Sequence, residues 1–160
     1  TRSVDQITVT ELCKEAGINR ATFYTHYSDC YDLLRSIEDE FLERFRENGM
    51  TENWCEPRDL ITTIYNTIEE NMELCDTMIF NVKRPTLLTR MIEVAKEYSR
   101  GKWREVMPAL DEKEQDILFV YLATGLSAII YNYFKTAEKE ELIDFMVDLT
   151  RNCLAPYCGT

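Results

Sequence analysis

Apolar residues recur at three- and four-residue intervals almost from one end of this chain to the other, a spacing that predicts helices. Thr8-Val9-Thr10-Glu11 fits a capping box, with Thr8 as N-cap and Glu11 reaching back to it. Val9, Leu12, Cys13 and Ala16 give the first inward stripe, and Gly17 ends that helix. A short second helix is expected over about residues 20–27, capped by Asn19, with Phe23 and Tyr27 sharing its buried face. A third starts near Ser28 or Asp29, turns Leu33, Leu34, Ile37, Phe41 and Phe45 inward, and breaks at Asn48-Gly49.

Residues 49–56 read as a loop, and Pro57 suits the first turn of the next helix, where its missing N–H costs nothing. Ile61, Ile64, Tyr65, Ile68 and Met72 form that helix's stripe. Pro85 is expected to open another, with Leu88, Met91, Ile92 and Ala95 inward, and residues 101–108 to interrupt the pattern. Asp111 and Glu114 pair like a second capping box ahead of a long apolar helix. Thr136 is the expected cap of the last helix, whose stripe is Leu142, Phe145, Met146, Leu149 and Cys153. No run alternates cleanly and no tight turn joins two β-rich runs, so the fold class is all-α. Residues 1–47 form one part, of short helices with tight turns; residues 48–160 form another, of longer and more apolar helices, with no flexible linker between.

A length of 160 residues suits one domain, or one with a small appendage. Apolar content of 45% with only five Gly and four Pro excludes disordered and low-complexity chains. Acidic residues outnumber basic ones by 29 to 18, so DNA binding would have to come from a local surface. The six cysteines form no CxxC pair and His26 is the only histidine, which leaves no zinc set, and no metal or cofactor is expected. A single histidine, no clustered carboxylates, no Gly-rich phosphate loop and no nucleophile elbow argue against an enzyme. Residues 1–6 are polar and no apolar stretch follows, so no secretory leader and a reducing cytoplasm are expected. Residues 116–134 approach the length of a membrane span, yet carry three tyrosines, Asn132, Thr124 and Ser127 between charged flanks. A helix apolar on every face is more often a core or interface helix, so no membrane is expected.

Helix, Gly-containing turn and helix is the layout in which a second helix enters the major groove. Arg20, Thr22, Tyr24, Thr25 and His26 are left on the outer face of that second helix, and Thr8 and Thr10 lie at the N-terminus of the first. Arg can contact guanine bidentately, Thr offers a hydroxyl and a methyl, and Tyr and His can bond phosphate oxygens. N–H groups at a helix N-terminus suit an anion. The stretch ITVTELCKEAGINRATFYTHYSDCYDLL, residues 7–34, resembles the DNA-binding domain of the TetR family of bacterial transcriptional regulators. Its marks are the aliphatic-Thr start, the Ala-Gly ending, the short helix with Thr-Phe-Tyr, and the Leu-Leu helix. The rest is similar in helix pattern alone.

The resemblance implies a cytoplasmic, all-α homodimeric repressor that reads a palindromic operator in double-stranded DNA through paired recognition helices. Arg20, Ala21, Thr22 and Thr25 match positions that meet base edges; Tyr24, His26 and Thr8 match positions that hold phosphates. The final helices, about 112–135 and 138–155, would form the dimer interface, with Gly125, Ser127, Ala128, Ile129, Phe145 and Leu149 at the contact. The helical second part would bind a small-molecule inducer or a protein partner. Tyr65, Met72, Phe80 and Met91 are candidates to line such a pocket, as are Tyr98, Trp103, Tyr121 and Tyr131, although such residues at helical spacing also build cores. The cluster Arg100-Gly101-Lys102-Trp103-Arg104 suits an anionic ligand or a partner, or a solvated loop.

Two departures matter. Cys30 stands where the family usually has a phosphate-binding lysine; it is either an inert substitution or an oxidation-sensitive thiol at a helix N-terminus. Only six residues precede Ile7, so the family's first helix is expected to be missing. Residues 1–34 carry three basic against five acidic side chains. The alternative is therefore a dimeric helical sensor or adaptor that has lost DNA binding.

Overall fold

The computed structural model describes residues 4–49, 56–80 and 86–158, and every regular element among them is helical. A single 3-10 turn, Val4–Gln6, leads into α1 (Val9–Ala16) and α2 (Arg20–His26). Then come α3 (Cys30–Gly49), α4 (Pro57–Glu70) and α5 (Met72–Cys75), which runs on as a π-helical turn, Asp76–Phe80. The last three are α6 (Thr86–Val106), α7 (Glu112–Tyr133) and α8 (Lys139–Leu154). Both capping boxes form: Thr8 with Glu11 at α1 and Asp111 with Glu114 at α7. The expected opening at Pro85 and most of the loop 49–56 lie outside the described residues.

Three expectations fail. Helix α6 runs straight through Gly101 to Val106. Gly costs a helix only about 1 kcal/mol relative to Ala. Here the buried side chains Ala95, Ser99 and Met107 continue past it while Gly101 faces solvent. The helix stops instead just ahead of Pro108, which disfavours helical geometry in the residue before it. Thr136 does not cap α8: Glu138 holds that position without a side-chain bond, and the Thr136 hydroxyl donates to the Tyr133 carbonyl in the turn leaving α7. The inner face of α8 is Leu142, Ile143, Met146, Val147 and Thr150, which leaves Phe145 exposed and Leu149 partly so.

The core gathers side chains from α3 through α8. Ile68, Ile79, Leu87, Met91, Ile143 and Met146 are essentially inaccessible. Tyr65 stacks on Phe134 with ring centroids 4.3 Å apart, joining α4 to the end of α7. Helix α3 serves both parts of the chain. Its start carries the turn after α2, while Phe41, Leu42 and Phe45 are buried in the main core. Arg90 of α6 fastens the middle of α3, donating to the buried Glu38 at 2.9 Å and to Asp39. Both carboxylates hold the guanidinium proton more tightly than usual.

Candidate nucleic-acid interface and apolar cavity

The N-terminal unit is held by local chemistry. Gly17 closes α1 at φ +66°, a left-handed geometry that Gly adopts without penalty, and the Ile18 N–H donates to the Cys13 carbonyl. The Asn19 side chain accepts from the Ala21 N–H at 2.9 Å and so fixes the start of α2. Cys13 and Phe23 bury the facing sides of α1 and α2. Phe23 meets the rings of Tyr24 and Tyr27, both at 5.6 Å.

That packing turns Arg20, Ala21, Thr22, Tyr24, Thr25 and His26 outward together, all exposed on one short helix. The Arg20 guanidinium lies 6.0 Å from the Tyr24 ring centre, a cation–π geometry that extends both along the helix face. The Thr25 hydroxyl donates to the Thr22 carbonyl at 2.6 Å, leaving its methyl and its oxygen lone pairs outward. Thr8 and Thr10 are exposed too, but the Thr8 hydroxyl and N–H both donate to the Glu11 carboxylate, at 2.9 and 3.0 Å. An acidic group therefore already occupies the N-terminus of α1.

Carboxylates also hold the N-terminus of α3. Asp29 accepts from the N–H groups of Tyr31 and Asp32, both at 2.8 Å, and Asp32 accepts from the N–H and hydroxyl of Ser28. Those Ser28 bonds hold the Asp32 carboxyl below the usual range. Cys30 sits in this frame with its thiol pushed up, first by burial and then by Asp29. The thiolate is disfavoured there.

The helices expected at the dimer contact carry an uncovered apolar face. On α7, Ile117, Val120 and Tyr121 are each more than half exposed; on α8, so is Phe145. Gly125 and Ala128 lie on the exposed side of α7, and a methyl added at Gly125 would meet no atom within 4 Å. Ile129 instead packs partly against the core, and Ser127 faces inward onto a cavity. By length and composition alone α7 could cross a membrane, and only 17% of its apolar window is buried within the chain.

That cavity, about 70 Å³, lies between α4, α6, α7 and α8. Ile64, Ile92, Ala95, Trp103, Leu122 and Met146 are among its walls. A wider, more open space of about 320 Å³ adjoins it and shares Leu60, Trp103 and Thr150. Of the eight side chains expected in a pocket, only Trp103 lines either space. Tyr65 and Met91 fill the core, Met72 and Phe80 pack partly against it, and Tyr98, Tyr121 and Tyr131 lie exposed. Small residues, Ala95, Ala123 and Ser127, stand among its mostly large aliphatic walls, and sequence reasoning named none of the three for a pocket. Most of the basic cluster is spent on α7: Arg100 pairs with Asp116, and Arg104 with Glu112. No group of side chains among the described residues could hold a metal ion.

Residues 55–154, more than half of the chain, match the family model of a transcriptional regulator C-terminal region. No curated protein and no solved structure matches the chain.

Proposed function

Because the chain belongs to the TetR family of transcriptional regulators, we propose that it is a homodimeric repressor. Two α2 helices, one from each subunit, read a palindromic operator. Relief comes from a small molecule or a protein partner engaging residues 48–160. The observation that carries this is the run of exposed side chains around Phe23 on α2, whose start is capped at Asn19. Arg20, Ala21, Thr22 and Thr25 meet base edges in the major groove, and Tyr24 and His26 hold phosphates, whereas the Thr8 donors are already spent on Glu11.

Coupling between the two parts runs through α3. Arg90 ties α6 to Glu38 and Asp39, and α6 also walls the cavity. A ligand that displaces α6 therefore draws on α3, and α3 carries the head. The head is short of cations, and Glu11 and Asp29 hold the helix ends where phosphates would otherwise sit. Its affinity then rests on direct readout and on pairing two heads on one duplex, with few counterions released per subunit.

Fluorescence anisotropy on a DNA pool selected for binding, with a salt titration, tests this. A saturating palindromic site is expected, and Arg20→Ala should weaken it by about 1–3 kcal/mol, the usual worth of a bidentate base contact. Flat anisotropy from an intact dimer would reject operator binding. The dimeric sensor or adaptor would then lead, an alternative favoured by Cys30 and the carboxylate-capped start of α3.

A further inference from the structure

We propose that the two adjoining spaces form one binding site for an amphipathic organic monoanion, a medium-length unbranched carboxylate whose chain fills the inner cavity. The inference rests on the ligand-sensing part of the proposed function and makes its site and ligand class specific.

The inner wall has nothing to offer a polar group. Its two hydroxyls are already committed to their own helices: Ser127 donates to the Ala123 carbonyl, and Thr150 to the Met146 carbonyl at 2.8 Å. A hydrogen-bonding ligand group would be stripped of water there without replacement. The volume of about 70 Å³ corresponds to roughly five water-sized groups, enough for a run of about five methylenes and too narrow for a fused ring system.

The outer space differs. Lys102 and Arg151 border it with Glu56, two cations against one carboxylate. Arg151 donates to Glu56 at 3.0 Å, while among the described residues Lys102 has a loose ion-pair partner, Glu105 at 3.9 Å on its own helix. Ser99 is spent on the Ala95 carbonyl. Among the described residues, the loosely held Lys102 ammonium is the group best placed to meet a ligand head. Trp103 borders both spaces, with its ring 5.6 Å from that of Phe119, and so stands where chain and head would join.

Trp103 supplies the readout. With Trp54 replaced by Phe, it is the sole tryptophan. Octanoate, decanoate and dodecanoate, each below its micellar concentration, are titrated against emission, with decanol as the neutral control. Saturable change is expected, with affinity rising about fourfold per methylene from butanoate to hexanoate, added to the series for this purpose, and flattening across the longer chains once the inner cavity is full. Replacing both cations (Lys102→Gln, Arg151→Gln) should weaken decanoate at least about fivefold and leave decanol unaffected. Ala123→Leu, or Ala95→Leu if its melt stays cooperative, should weaken both by filling the cavity. No saturable change with any chain would overturn the proposal. So would decanol binding as tightly as decanoate with no response to the double variant. Operator anisotropy separates the two readings. Decanoate binding without change in DNA affinity supports the site and rejects its regulatory role, whereas DNA binding without decanoate binding keeps the regulator and rejects the ligand class.

Discussion

Phe145→Asp tests the dimer face most directly. Phe145 is 58% exposed in the isolated chain, on a helix whose neighbour α7 presents Ile117 and Tyr121 at 60% and 66%. A Phe side chain buries about 200 Å² when fully covered, so a partner has roughly 115 Å² of this one left to cover. At about 25 cal/mol per Å² that is about 3 kcal/mol per subunit. Two-fold symmetry brings two copies into the contact and makes the pair worth about 6 kcal/mol, or roughly four decades in the dissociation constant. Burying an aspartate there adds a desolvation cost in the same direction. Sedimentation velocity across micromolar concentrations should show the wild type as a dimer and Phe145→Asp as a monomer that keeps its helical circular dichroism. Gly125→Leu is the companion: a Cβ there meets no atom within 4 Å, so a loss of dimer with the fold intact would place the helix–helix approach at residue 125. An unchanged sedimentation coefficient for Phe145→Asp would refute the placement, because an aspartate cannot sit silently in the middle of a dry helical contact.

Three further outcomes follow from the packing. Arg90→Met removes the partner of the buried Glu38 and should cost about 1–3 kcal/mol by denaturant unfolding, the lower half reflecting the partial exposure of Arg90; adding Glu38→Leu should recover most of it, and no recovery would mean that the pair is not what α3 lacks. Gly17→Ala forces a side chain into the left-handed region and should destabilise the N-terminal unit by about 1 kcal/mol; exchange protection at Leu12 and Phe23 would fall while that of Met146 holds, and an even loss across the chain would contradict a local effect. Burial pushes the Cys75 thiol up to about 11, so at pH 8 a disulfide reagent should label the exposed Cys158 at once and Cys75 only after unfolding; prompt Cys75 labelling of the native protein would mean that the core opens near α5.

What the chain discloses about itself depends on how far a signal reaches. The α1–α2 turn was legible because every determinant is local: Thr8 with Glu11, Gly17 in its left-handed geometry and Asn19 at the next cap act within four residues. Asp111 with Glu114 was legible for the same reason. Gly101 misled because propensity is a weak local cost that packing on either side of it overrode. The cavity was not legible at all. It exists where Ala95, Ala123 and Ser127 leave space between four helices, and a search for Tyr, Trp and Met selects the residues that remove space. Of those candidates Trp103 is the one that borders this cavity rather than filling space.

Helices α7 and α8 mark a different limit. Periodicity reports that a face avoids water, not which neighbour keeps the water away. On α8 two apolar faces lie side by side: Leu142, Ile143, Met146 and Val147 turn into the core, while Phe145 and Leu149 stay outside it. Read along the sequence they merge into one stripe. On α7 the same merging produces a segment apolar all round, which is why it passes for a membrane span by composition. Its inner face, Phe119, Leu122 and Ile130, is accounted for by the chain's own core. Its outer face, Ile117, Val120 and Tyr121, borders no part of that core. A single bilayer-spanning helix would need lipid on both faces, but α7 already spends one on protein. What is left is a one-sided apolar surface two helices wide, flanked by charge at Glu112, Lys113, Glu140 and Glu141. The homodimer proposed above would cover that surface with a second copy of the same helix pair, turned about a two-fold axis.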